Sequence, residues 1–147
     1  KMFENEIEDV LYEDKKMKKM FKGAYAYDEK PKKPNSNTCF ILNTEKRTQT
    51  GEHWLAIYLD ENNKGYFFDS FGKHPSFYNL KNYMDQISTK WVWNKKEIQG
   101  FSDYCGIYFI LFLFFKAHDL QKLFFQIFKL SSTENDRIIY KLLKKFR

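Results

Sequence analysis

The chain has 147 residues, enough for one domain with a real core and too few for two. Aromatic residues make up 20% of it, with 16 Phe and 10 Tyr, while 6 Gly and 3 Pro are too few for a collagen-like, linker-rich or disordered chain. A net charge of +6 favours nucleic acid, acidic membranes or acidic proteins over basic partners.

Phe3, Ile7, Val10, Leu11, Met17 and Phe21 recur at near-helical spacing, which predicts an amphipathic helix over 3–20, stopped by Gly23. The tract DEKPKKPNSN (28–37) is a surface connection and not a domain boundary, so 1–147 reads as a single domain. TCFILN (38–43) predicts a buried strand. HWLAIYL (53–59) and GYFFD (65–69) flank DENNK and predict a hairpin. Phe77, Leu80, Tyr83, Met84 and Ile87 suit a helix entered after Pro75, and KWVWN (90–94) another brief strand.

The apolar run from Gly106 to Phe115 is far shorter than the roughly 20 residues that span a bilayer, so a buried helix over 105–129 is expected, broken near His118 and Asp119. Ser131 and Glu134 form a capping-box pattern ahead of a last helix carrying Ile138, Ile139, Leu142, Leu143 and Phe146. Helices and antiparallel strands mix without βαβ alternation, which predicts an α+β domain, its small antiparallel or mixed sheet packed against a central helix. A monomer without membrane association is expected.

Lysines cluster in KKMKKMFK (15–22), KPKK (30–33) and KLLKKFR (141–147). Solvated faces are the commoner reading of such runs, with polyanion binding the alternative. The two cysteines, Cys39 and Cys105, make no disulfide framework, and the N-terminal residues do not read as a secretory signal. A reducing, intracellular compartment is therefore expected.

Cys105 opens the apolar run. A thiol at a helix start sits at the positive end of the helix dipole, which favours thiolate, and Gly106 removes side-chain bulk beside it. An inert buried cysteine is the competing reading. His53 stands at the mouth of the predicted hairpin and Asp69 closes its partner strand. Taken singly, a strand-end histidine and an aspartate before a turn are more often structural.

Together the three have the types a thiol nucleophile needs: a base to take its proton, and an acceptor to fix that imidazole and stabilise its charge. Gln99 can add a side-chain N–H to the backbone N–H of Cys105 as donors to an oxyanion. A plain hairpin with a six-residue loop would pair Leu59 with Tyr66 and Ile57 with Phe68. Asp69 would then lie about 10 Å from His53 and on the other face, so a bulge, a shorter strand or extra twist is required.

The order His, Asp, Gln, Cys in the settings GEHWLAIYL, YFFDSFG and QGFSDYCG resembles the adenovirus protease (adenain) family. That group includes proteases of Polinton/Maverick-type elements and, more distantly, the SUMO-specific proteases. FKGAYAYDEKP, CFILNTEKRTQTGEHW and CGIYFILFLFFKAH are similar to adenain segments in the same order, from Phe21 to about His118.

The resemblance implies a papain-like site in rearranged order, with a central helix starting at the catalytic cysteine. It implies His53 as general base and acid, Asp69 as its orienting partner, Cys105 as nucleophile and Gln99 in the oxyanion hole. Trp54 would be an aromatic wall beside the histidine, packing being the equal alternative, and Gly106 would leave room for substrate. Its implied substrates are proteins or peptides with small residues, often glycine, near the cleaved bond. Its implied setting is the maturation of viral or virus-like structural precursors, in host nucleus, cytoplasm or virion.

The spacing from Gln99 to Cys105 is one residue shorter than in adenain. The shorter segment between Gly72 and Gln99 has no cysteine to bond an activating peptide. No cofactor is expected, and the basic clusters keep DNA open as a stimulating polyanion, the alternative to solvated faces. Cys39 reads as core, His74 as exposed and His118 as a helix-end residue. No spacing of His, Cys and carboxylates suggests a metal site. The expected function is a cysteine endopeptidase. The alternatives are an isopeptidase acting on ubiquitin-like proteins and a non-catalytic basic DNA-binding module.

Overall fold

The strand β2, Thr38–Asn43, has all six residues buried, which a strand achieves only when both of its faces are covered. In the computed structural model, which describes residues 12–48, 53–98, 108, 112, 113, 115–119, 122, 126 and 132–145, β2 lies inside a five-stranded sheet. The order is β1-β2-β3-β4-β5, with β1 Phe21–Tyr25, β3 Trp54–Leu59, β4 Lys64–Phe68 and β5 Lys90–Trp93. β2, β3 and β4 are antiparallel neighbours, while β1 and β5 join the two sides as parallel strands. The mixed sheet with its helices is a small α+β fold, as expected.

Alternation along the strands gives the sheet two cores. Cys39, Ile41, Ala56, Tyr58 and Phe68 face one way, and Phe40, Leu42, Leu55, Ile57, Leu59 and Phe67 the other. A fully buried side chain of this size contributes about 1.5–3 kcal/mol, so the central strands hold much of the stability. The second face is covered by Leu80, Tyr83, Met84 and Ile87, the last three on α2 (Lys81–Ile87). The first face is covered by Tyr108, Phe112, Leu113 and Ala117, of which all four are helical. Phe112 stacks on Phe68 at 4.5 Å, and Lys116 Nζ lies 3.7 Å from the Tyr66 ring centre. The helical residues give way to a turn at His118 and Asp119, where Asp119 has φ 58°, in the predicted place. The last helix, α3 (Ser132–Lys145), meets the same core through Ile138, and Tyr108 Oη donates to Asp136 Oδ1 at 2.6 Å.

Three expectations are corrected. First, α1 (Lys15–Met20) ends at the expected Met20, but not because of Gly23: residues 21–25 form a strand. Phe21 is buried at 3% exposure either way, so helical spacing could not distinguish the two outcomes. Gly23, at φ 130°, lies in the register shift between Phe21 and Ala24 and does not cap the helix. Asp14 starts α1, its carboxylate accepting from the N–H groups of Lys16 and Met17.

Second, residues 75–87 are not one helix. A 3-10 turn, Pro75–Tyr78, stops at Asn79, whose left-handed φ of 56° an asparagine tolerates, and α2 follows. Third, the β3–β4 register differs by one residue from the plain hairpin, as described below.

Residues 3–11, the start of the helix at Cys105 and Ser131 of the expected capping box lie outside the described residues. Among the described residues no helix is long and apolar enough to cross a membrane.

Candidate active site

The hairpin turn decides what its open end can do. Asp60 N–H donates to Lys64 C=O and Asn63 N–H to Asp60 C=O, while the Asp60 carboxylate accepts from the N–H groups of Asn62 and Lys64. Asn63 takes φ 60°. This is a three-residue loop closed by a left-handed residue, a common hairpin solution, and it pairs Leu59 with Gly65, Ile57 with Phe67 and Ala56 with Phe68. One step further along, Asp69 comes level with Leu55. Leu55 and His53 share a face by the two-residue period, so the register that the sequence reading found problematic is shifted by one, and the shift removes the problem.

The two side chains meet. His53 Nε2 lies 2.6 Å from Asp69 Oδ1, with the side chains 10% and 0% exposed. A charged carboxylate buried this deeply requires hydrogen-bond donors. Oδ1 also accepts from Phe71 N–H at 3.1 Å, and Oδ2 accepts from Tyr78 Oη at 2.6 Å and Lys73 N–H at 3.2 Å. The imidazole is stacked against Phe71 at 4.6 Å, and Tyr78 lies 6.2 Å away in a near-parallel plane. His53 C=O accepts from Thr44 N–H, tying its backbone to the end of β2. In the neutral tautomer that donates its Nε2–H to Asp69, the imidazole lone pair is on Nδ1. The carboxylate both orients the ring and stabilises the charged imidazolium.

A second chain segment is tied to the same corner. Asn94 acts as a surrogate strand partner: its Oδ1 accepts from Asp69 N–H at 2.9 Å and its Nδ2 donates to Asp69 C=O. Ile98, fully buried, donates its N–H to Ser70 C=O at 2.8 Å. Between these anchors Gly72, at φ 71°, lets the chains close up. A Cβ there would stand 2.7 Å from the backbone of Lys96 and Glu97.

Of the six sequence-predicted site residues, His53 and Asp69 are brought together. Trp54, one residue on, takes the opposite face by strand alternation and packs against the core that includes Phe68 and Phe112. Gln99, Cys105 and Gly106 lie outside the described residues. Cys39 is fully buried, and burial pushes its thiol far above the ordinary cysteine range. This fits the core role expected of it. His74 is half-buried rather than exposed. It caps the 3-10 turn by accepting from Ser76 N–H and sits edge-on to Trp93 at 4.5 Å. His118 serves a helix end, though not its own: it bonds Asp14, the cap of α1, at 3.2 Å. Among the described residues no cluster of His, Cys, Asp and Glu could hold a metal ion.

Sequence reasoning missed Tyr78, Asn94 and the contribution of Phe71. The His-Pro-Ser start of the 3-10 turn was a legible capping signal for the segment that delivers Tyr78. Nothing local marks Asn94.

No protein-family model matches the chain. A curated protein of Acanthamoeba polyphaga mimivirus named "Putative thiol protease R355" is 35% identical over 81 residues, covering 46% of this chain and 26% of that protein. The chain thus spans about a quarter of the length of the curated relative it matches. This similarity supports a cysteine-protease-like relationship.

Proposed function

We propose that the chain is a cysteine endopeptidase in which Cys105 is the nucleophile, His53 its base, Asp69 the orienting carboxylate and Gln99 an oxyanion donor. The observation that carries this reading is the buried 2.6 Å pair of His53 and Asp69 at the open end of the hairpin. The neighbouring helical residues cover the face opposite to that of Leu55 and His53, and it is their direction toward the same end of the sheet that supports the reading. From Lys116 over Tyr66 to Phe112 on Phe68, the chain read backwards moves toward that same end. Cys105 precedes Phe112 by seven residues in the sequence, a separation that a helical rise would make about 10 Å. His53 precedes Ala56, the partner of Phe68, by three residues, again about 10 Å of strand. Gln99 directly follows Ile98, which is anchored to Ser70.

In this reading the Cys105 thiol gives its proton to Nδ1 of His53, and the thiolate attacks a peptide carbonyl. Gln99 and the Cys105 amide hold the resulting oxyanion. As the C–N bond breaks, the imidazolium protonates the leaving amine and a thioester remains. His53 then takes a proton from water, hydroxide displaces the thiolate, and the acid product leaves.

Proteins with small residues near the cleaved bond are the proposed substrates, and the processing of viral or virus-like precursors the proposed setting. The exposed Lys15, Lys16, Lys18, Lys19 and Lys22 offer duplex DNA a surface as stimulating polyanion. The test is hydrolysis of fluorogenic peptides with Gly at the cleaved bond, against a panel of ubiquitin-like substrates. Turnover of the peptides that is abolished by Cys105→Ala is the expected result. Equal turnover by that variant would sink the reading, and preference for the ubiquitin-like panel would replace it with an isopeptidase.

A further inference from the structure

We infer that Tyr78 is a positioning residue for the His53–Asp69 pair, fixing the rotation of the carboxylate and sharing its charge; this rests on the proposed function. Among the described residues, two side chains reach the Asp69 carboxylate: His53 on Oδ1 and Tyr78 on Oδ2, each at 2.6 Å. The backbone donors, Phe71 N–H and Lys73 N–H, come from the turn just after Asp69 and move with it. Tyr78 comes from a different element, the 3-10 turn Pro75–Tyr78, and so ties the carboxylate to a separate part of the fold.

That turn is itself held from both ends. His74 caps its start, and Tyr27 Oη donates to the carbonyls of Tyr78 and Asn79 at its finish. The Tyr78 ring packs beside Phe67, 6.5 Å between ring centres, and lies near-parallel to the imidazole. A phenol held on this many sides loses little freedom by bonding Asp69, so the bond is made at low entropic cost.

A carboxylate that shares its charge with a phenol gives less of it to the imidazolium. Without Tyr78 Oη, Asp69 becomes the stronger partner of His53 and holds its proton to higher pH. The carboxylate also gains freedom to rotate, which costs turnover and not substrate binding.

The experiment compares wild type with Tyr78→Phe, which keeps the ring and removes the hydroxyl. The His53 ring nitrogens are titrated by NMR, and kcat and KM are measured on a peptide substrate. The expected result is a His53 midpoint raised by about half a unit to one unit, with kcat down about tenfold and KM unchanged. Phe77→Ala, which alters the exposed neighbouring ring, should leave the midpoint where it is. An unchanged or lowered midpoint in Tyr78→Phe overturns the inference. The NMR titration needs no turnover, so it separates this failure from failure of the protease reading, which would show as an inactive wild type.

Discussion

The two ends of the β3–β4 hairpin make opposite use of an acidic side chain. At the turn, Asp60 is partly exposed and its carboxylate organises backbone N–H groups of its own loop. At the open end, Asp69 is fully buried and its carboxylate joins the histidine that precedes β3, a tyrosine from another element and two backbone donors. The turn sets the geometry on which the proposed chemistry of the open end depends. The two ends are coupled, because a one-residue change in the loop exchanges the faces of β4 and would turn Asp69 away from His53.

Breaking the open end should have the largest effect. His53→Ala or Asp69→Asn should lower peptide hydrolysis by about three orders of magnitude or more, with far-UV circular dichroism unchanged. A drop of less than tenfold would show that the pair does not serve catalysis. Next comes the junction that joins β4 to the segment leading to Gln99. Gly72→Ala meets both the left-handed φ and the Lys96–Glu97 backbone, and should cost about 1–3 kcal/mol in denaturant unfolding. Wild-type stability in that variant would mean the two chains separate easily there.

The turn should respond more gently. Both Asn63→Ala and Asn63→Gly lose the bond from Asn63 Nδ2 to Ile87 C=O, and Asn63→Ala should cost about 1 kcal/mol more than Asn63→Gly because of the left-handed φ, measured by denaturant midpoint. Equal effects would show that the left-handed residue does not set the register.

The smallest effect is at α1, away from the hairpin. The Met17 N–H chiefly, with His118 beside it, holds the Asp14 carboxyl below its ordinary value. A depressed pKa contributes stability above the unfolded value, lost as pH falls through the folded one. Wild type minus Asp14→Ala should therefore be about 0.5 kcal/mol near neutrality, the low end for a cap, and shrink below about pH 4. A difference independent of pH would exclude the carboxylate as the cap.

How much of this was legible follows from where each signal lives. β2 could be read because five apolar or β-forming residues in a row, Thr38 to Leu42, permit little else, and His53 and Asp69 because their types stand at predicted strand ends. Their meeting could not be read, because it depends on which residue of DENNK turns left-handed, and DENNK holds two asparagines able to do so. β1 was lost because Phe21 satisfies a helix face as well as a strand. Tyr78 and Asn94 act across long sequence separations through single hydrogen bonds, which leave no periodicity behind. Residue types suggested the roles of Gln99 and Cys105 but left an inert buried cysteine as the competing reading, and the resemblance to adenain favoured the catalytic one.

The central claim is that His53, held by Asp69, withdraws the proton from Cys105, and competitive alkylation tests it most directly. Wild type and His53→Ala are treated with limiting iodoacetamide near neutral pH, and the two thiols are quantified separately by peptide mass spectrometry. The account predicts that Cys105 labels far faster than the buried Cys39, and that His53→Ala removes most of this advantage. Slow labelling of both thiols alike, or a Cys105 rate indifferent to His53, would contradict it.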